Sequence, residues 1–309
     1  MRLSLPGVQD KVLLARTPQG GWARPVGGAP STHILKPQDM RLPGYAAAEH
    51  FCLLLARRLK LTSIESEVIS VQGRPVLAVA RYDRSYSEGR TERIHQEDAC
   101  QALAIDMASG GSKYQSDGGP SLRSFARLLS RYASPEDLTR LLAITTFNVA
   151  VGNADAHAKN LSIIHAPNGA ISLAPAYDIT PTTFYKQVPT SRGLVEMSDQ
   201  LGMWIGAKRS IHKVATEDLV DEAATWGLGA KAAANIVTET LEAISACAGR
   251  AAESAELPEE ILGFVVSRTE ALLAGKPAQA RREEEAPRSK VVPSPGRAGP
   301  TERAAGLEL

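Results

Sequence analysis

The run Gly152-Asn153-Ala154-Asp155-Ala156-His157-Ala158-Lys159-Asn160 is the densest polar segment of the chain. It follows a long apolar stretch that ends at Val151 and precedes a short one, Leu161 to His165, of strand character. Asp155 and Asn160 stand five residues apart. A carboxylate can accept or orient the proton of an attacking hydroxyl. A carboxamide oxygen, a neutral hard ligand, can reach Mg²⁺ beside phosphates. A one-turn loop between buried elements would hold both at a fixed separation. The plainer alternative is a helix C-terminus followed by a turn.

Such a site needs a second carboxylate on the metal. Asp178 supplies one in Pro175-Ala176-Tyr177-Asp178-Ile179-Thr180, just after a second short strand, Ile171 to Ala174. The turn Ala166-Pro167-Asn168-Gly169 separates the two strands, and the 18 residues from Asn160 to Asp178 leave room for a hairpin. Upstream, a lysine should neutralise phosphate from a strand, and Lys36 ends Thr32-His33-Ile34-Leu35-Lys36. Glu49, on the following helix, is placed to pair with it. Gly7, in Ser4-Leu5-Pro6-Gly7-Val8-Gln9-Asp10-Lys11, gives a turn whose N–H groups can cover phosphates. It is neither a Walker A sequence nor GxGxxG. Taken singly, Lys36 also reads as a solvated strand end, Glu49 as a surface acid and Asp178 as a turn residue. His157 reads as a general base or as a loop-orienting hydrogen bonder. The features nevertheless occur in the order of a kinase: loop, lysine, helix glutamate, hinge strand, Asp–Asn loop, hairpin, aspartate.

The rest of the chain divides around these residues. Ala46 to Leu59 reads as a helix with basic residues in its last turn. Glu65 to Val71 and Pro75 to Tyr82, split by Gln72-Gly73-Arg74, read as a hairpin. Gln96 to Met107 and Ser121 to Tyr132 read as helices. Ser134-Pro135-Glu136-Asp137 is a helix start, with a cap, proline at the first position and acids in the first turn. Further helices are expected over 216–224, 230–248 and 259–274. From Lys276 the composition turns to Pro, Ala, Arg and Glu, too polar to order itself. The expected domains are an N-lobe over 1–95, a helical C-lobe over 96–275 and a disordered tail over 276–309.

Composition narrows the function classes. Of the 309 residues 43% are hydrophobic and 22% charged, which excludes wholesale disorder. The 35 basic and 34 acidic residues leave a net charge of +1, so no global basic field calls for nucleic acid. Aromatics at 5% argue against a stacking platform for single strands. Three scattered cysteines form no zinc spacing and suit a reducing compartment. With no signal peptide or membrane span visible, a cytoplasmic location and no membrane partner are expected.

The chain resembles the HipA family of serine/threonine kinases, the toxins of bacterial toxin–antitoxin modules. The resemblance is carried by SLPGVQDK (4–11), STHILKP (31–37), VARYDR (79–84), HQEDACQAL (95–103), KYQSDGGP (113–120), GNADAHAKNLS (152–162) and LAPAYDI (173–179). It implies an α+β, bilobal protein-kinase-like fold with a small β-rich N-lobe and a larger, mostly helical C-lobe. It also implies ATP-dependent phosphorylation of a protein serine. Asp155 would be the catalytic base, with His157 and Lys159 shaping its loop. Asn160 and Asp178 would bind Mg²⁺, and Lys36, paired with Glu49, would contact the ATP phosphates. Gly7, Val8, Gln9, Asp10 and Lys11 would form the phosphate loop, and Ala80, Arg81 and Tyr82 the hinge that receives adenine. Ser4 matches the autophosphorylated serine. The implied substrate is an aminoacyl-tRNA synthetase, and the implied partner is a HipB-like helix-turn-helix antitoxin through which DNA is bound only indirectly. Family members carry further residues ahead of the SLPGVQDK segment. The expectation is therefore a short form, either truncated or completed by a separate N-terminal-subdomain protein. The competing readings are a remnant or antitoxin-binding pseudokinase, and a small-molecule phosphotransferase of the same general fold.

Overall fold

Short apolar runs in the first eighty positions build one antiparallel sheet in the computed structural model, which describes residues 10–87, 90–190 and 193–279. Its strands are β1 (Val12–Arg16), β2 (Trp22–Ala23), β3 (His33–Pro37), β4 (Ser66–Val71) and β5 (Arg74–Ala80), in the order β2-β1-β3-β5-β4. Between β3 and β4 runs helix α1 (Tyr45–Arg58). Gln72 and Gly73, at φ 51° and 76°, make the two-residue turn that joins β4 to β5. Positive φ at both central positions matches the twist of the strands, which is why glycine stands there.

Helix α1 is buried on nearly every face up to its last turn, where Arg57 and Arg58 are exposed. Ala46 and Leu53 pack with Leu77 and Val79 of the sheet. Phe51, Cys52, Leu55 and Ala56 join the large core of the helical lobe. The helix is thus the joint between the two lobes, and a charged residue on it, Glu49, cannot reach water.

The chain leaves the sheet through hairpin β6 (Arg84–Ser87)–β7 (Arg90–Arg93), then strand β8 (His95–Asp98) and helices α2 (Ala99–Ala102), α3 (Leu122–Tyr132) and α4 (Pro135–Val151). Strand β9 (Ser162–His165) lies between β8 and β10 (Ile171–Leu173) in a three-stranded sheet. Hairpins β11 (Gln187–Thr190)–β12 (Gly193–Glu196) and β13 (Gln200–Ile205)–β14 (Lys208–Ser210) follow, then helices α5 (Thr216–Ala224), α6 (Ala230–Ser254) and α7 (Glu259–Leu273). Helix α4 runs through the centre of the lobe, with Leu141, Leu142, Phe147, Ala150 and Val151 wholly buried. Among the described residues no helix is long and apolar enough to cross a membrane.

Two expectations change. The helix read over Gln96 to Met107 is instead strand β8 followed by the four-residue α2. Pairing of Gln96 with Ile164 claims the backbone for a sheet, and Asp98 starts the helix in a capping box with Gln101. Ala104, at φ 53°, ends it. Residues 276–279, expected to belong to a disordered tail, are placed against the helical lobe. Ala278 is fully buried, and its N–H donates to the Val214 carbonyl at 2.8 Å. Residues 280–309, the rest of that segment, lie outside the described residues.

Candidate active site

Helix α4 ends at Gly152 in a left-handed conformation, φ 80°. A Cβ there would meet the Phe264 ring at 2.7 Å and Thr183 Oγ1 at 2.8 Å, so only glycine fits. The loop that follows is fixed by long-range bonds. The Ala154 N–H donates to Thr182 Oγ1 at 3.0 Å, and the Ala154 carbonyl accepts the Gly202 N–H at 2.8 Å. The Asp155 carbonyl accepts the His157 N–H at 2.8 Å and Asn160 Nδ2 at 3.1 Å. The carboxamide nitrogen of Asn160 is thereby committed, and its oxygen is the end that can ligate a cation.

The Asp155 carboxylate accepts a hydrogen bond from the Tyr114 hydroxyl at 2.8 Å. Tyr114 lies in the KYQSDGGP segment, which folds over the loop. The Lys113 carbonyl accepts the Ala158 N–H at 3.2 Å, and Gln115 Oε1 accepts the Trp204 N–H at 2.8 Å. A Cβ on Gly119 would approach the Ser112 carbonyl oxygen to 2.3 Å, so the tight return of that segment requires glycine. His157 stacks edge-on against Tyr114, with ring centroids 5.2 Å apart. Burial, then the Lys113 charge, push the His157 imidazole down to about 4, so it is neutral near pH 7. That suits a loop-packing group better than a proton acceptor. Lys159 is turned onto Asp98, Nζ to Oδ2 2.6 Å.

Across from the loop, Lys36 projects from β3 into the joint between the lobes and is 4% exposed. Its Nζ lies 2.5 Å from Glu49 Oε1 and 2.6 Å from Asp178 Oδ1. Burial works against the charged ammonium, but the two carboxylates outweigh it and raise the Lys36 pKa. Lys36 holds the Asp178 carboxyl well below the usual carboxylate range, against the opposing effect of burial. Burial pushes Glu49 up, and Lys36 pulls it back. Asp178 adopts φ 55°, a left-handed conformation uncommon for a residue with a side chain. The hairpin before it is tied to α4, where buried Asp137 accepts the Leu173 N–H at 3.1 Å.

The Tyr45 hydroxyl is raised first by burial and then by the charges of Glu49, Asp178 and Asp155. The fold brings Lys36, Glu49 and Asp178 into contact, and the Asp155 charge acts on the same phenol as those of Glu49 and Asp178. An ionised Asp178 and the Asn160 oxygen are hard donors of the type Mg²⁺ takes, so these residues fit that ion. Lys11, exposed ahead of β1, also acts electrostatically on Glu49 and Asp178. Asp10 precedes it and is exposed. Ser4, Gly7, Val8 and Gln9 lie outside the described residues.

At the expected hinge, the Ala80 N–H donates to the Glu65 carbonyl at 2.8 Å and the Arg81 N–H to the Thr32 carbonyl at 2.9 Å. The Arg81 guanidinium grips Asp83, and the Tyr82 ring stacks on Tyr177 at 5.5 Å while its hydroxyl donates to Gln96. Sequence reasoning missed Tyr114, Thr182 and Gly202 as parts of the site. Only the glycine pair of KYQSDGGP hinted that this segment has a fixed shape.

A family model described as the HipA-like C-terminal domain matches residues 3–248. A Sinorhizobium fredii protein named "Putative kinase Y4mE" is 37% identical over 252 residues, 79% of this chain and 57% of that protein. The serine/threonine-protein kinase toxin HipA of Shewanella oneidensis is 31% identical over 199 residues, 60% of this chain and 44% of that protein. A solved structure of the Shewanella oneidensis HipA, HipB and operator DNA complex matches with a TM-score of 0.71 at 26% identity, over 88% of this chain and 64% of that one. The chain thus spans about half the length of the curated relatives it matches. The likeness to HipA makes the α+β, kinase-like architecture the fold of this chain.

Proposed function

Because the chain belongs to the HipA-like C-terminal domain family, we propose that it is an ATP-dependent serine/threonine protein kinase, the toxin of a toxin–antitoxin module. The observation that carries this reading is the buried Lys36, ion-paired with both Glu49 and Asp178. A lysine so placed is preorganised for phosphate, because its cost of burial is already offset by two anions. Asp155 orients the attacking serine hydroxyl and takes its proton. Asn160 and Asp178 hold Mg²⁺, which supplies charge neutralisation at the phosphates. Asp10, Lys11 and the residues before them cover the phosphates, and the backbone from Ala80 to Tyr82 receives adenine. His157 and Lys159 shape the loop.

The finer parts of the reading rest on the family. The substrate is a protein serine, of the aminoacyl-tRNA synthetase class, and Ser4 is the site of self-phosphorylation. The partner is a HipB-like helix-turn-helix antitoxin, supported by the relative solved with HipB and operator DNA. The complex acts in the cytoplasm.

Incubating the purified chain with Mg²⁺ and labelled ATP, followed by phosphosite mapping, tests this. Label on Ser4 is expected. Asp155→Ala should lose all transfer with an unchanged circular dichroism spectrum, and transfer that persists in it refutes the assignment. Ser4→Ala should lose self-modification but still phosphorylate the target. Phosphate mapped elsewhere on the wild-type chain overturns the role of Ser4.

A further inference from the structure

Away from the candidate active site, three metal-ligating side chains converge on the β8–β9 pair. His95 stands directly opposite His165 in the antiparallel register. Glu97 is two residues further along β8, so it projects from the same face as His95. Gln96 alternates to the other face, where its side chain meets the Tyr82 hydroxyl. The two imidazole rings lie 4.6 Å apart at 37°, and His165 Nε2 is 2.7 Å from Glu97 Oε2. One ligand atom from each of the three residues lies within 4.8 Å of the others.

We propose that His95, Glu97 and His165 bind one divalent transition-metal ion of the zinc class, clamping β8 to β9, the strand that leaves the Asp155 loop. Two imidazoles and one carboxylate are a zinc donor set with a fourth position open, and nitrogen donors discriminate against Mg²⁺ and Ca²⁺. In a tetrahedral site with bonds of about 2.0–2.1 Å the ligand atoms stand about 3.4 Å apart. Rotation of three side chains that are half-buried or exposed closes that gap, while the backbone is held by the β8–β9–β10 ladders. A hydrogen bond from His165 to Glu97 alone explains those two residues. It gives no role to His95, an exposed imidazole held face-near to a second one. On the metal, the His–Glu hydrogen bond gives way to two coordinate bonds, and His95 supplies the third.

The test uses the untagged full chain, stripped with a chelator and kept in excess Mg²⁺ to occupy the hard-oxygen candidates Asn160 and Asp178. Zn²⁺ is titrated in competition with a chromophoric chelator, and Co²⁺ is followed by its visible absorption. One equivalent of Zn²⁺ is expected, with the band intensity of four-coordinate Co²⁺ and a higher thermal midpoint with Zn²⁺. His95→Ala, which alters an exposed ring, and Glu97→Gln should weaken binding by more than the ~10–100-fold that loss of an outer-shell partner costs. Asp178→Asn should bind Zn²⁺ as wild type does. Absence of stoichiometric binding, wild-type affinity in His95→Ala and Glu97→Gln, or loss of binding in Asp178→Asn each overturns the proposal.

Discussion

Replacing Glu49 by Gln isolates the charge that faces Lys36 from α1. Gln keeps the size and an acceptor oxygen, so the change removes one negative charge from a group that is 1% exposed. The Lys36–Glu49 contact at 2.5 Å is charge-assisted, a class worth about 1.5–3 kcal/mol. Three effects reduce the net loss. Asp178, 2.6 Å from the same nitrogen, remains to balance Lys36. The Gln oxygen still accepts, and the burial cost of the carboxylate disappears. The expected change in unfolding free energy is about 1–2 kcal/mol by urea denaturation at pH 7. The sharper quantity is the coupling between Lys36→Met and Glu49→Gln in a double-mutant cycle, expected at about 2 kcal/mol. Phosphotransfer should fall in Glu49→Gln, where Lys36 is held by one anchor instead of two, and in Lys36→Met, which removes the ammonium itself. A coupling below about 0.5 kcal/mol, with labelling by ATP undiminished in Glu49→Gln, would refute the ion pair as the organiser of the site.

Other outcomes follow from the same geometry. Asp178 has a folded pKa below its unfolded value, so its contribution to stability is present above the unfolded pKa near 4 and is lost as pH falls through and below it. Asp178→Asn should therefore flatten the acid limb of the stability–pH curve, and an unchanged acid limb would count against the pairing with Lys36. Gly202→Ala places a Cβ 2.8 Å from the Ala156 carbonyl and from His157 Cα, both backbone. It should lower stability by about 1–3 kcal/mol in thermal unfolding and slow phosphotransfer by displacing the loop. Tyr114→Phe removes the 2.8 Å bond to Asp155 and should lower kcat about tenfold with little change in KM for ATP. A change confined to KM would mean that the hydroxyl serves nucleotide binding instead.

Local chemistry alone determined much of this molecule. The apolar runs of α1 and α4, the proline and acids after Ser134, and the Gln72–Gly73 turn act over a few residues. Their elements are found where the periodicity puts them. The residue types of the site, Lys36, Glu49, Asp155, Asn160 and Asp178, and their order along the chain, were equally legible. What the sequence could not determine depends on partners far away in it. His95 to Asp98 has the composition of a helix but is a strand because β9 offers it a ladder. Lys36 meets Asp178 across 142 residues, and Tyr114 meets Asp155 across 41. Gly202 looks like any strand glycine until the Ala156 backbone is seen against it. Propensity and periodicity are short-range properties, whereas an ion pair or a close backbone approach exists only after the lobes have packed through α1. The sequence by itself thus determined which groups are present and which local element carries each. The tertiary structure decided which of them share a low-dielectric space, and so which charges Lys36 and Asp178 feel.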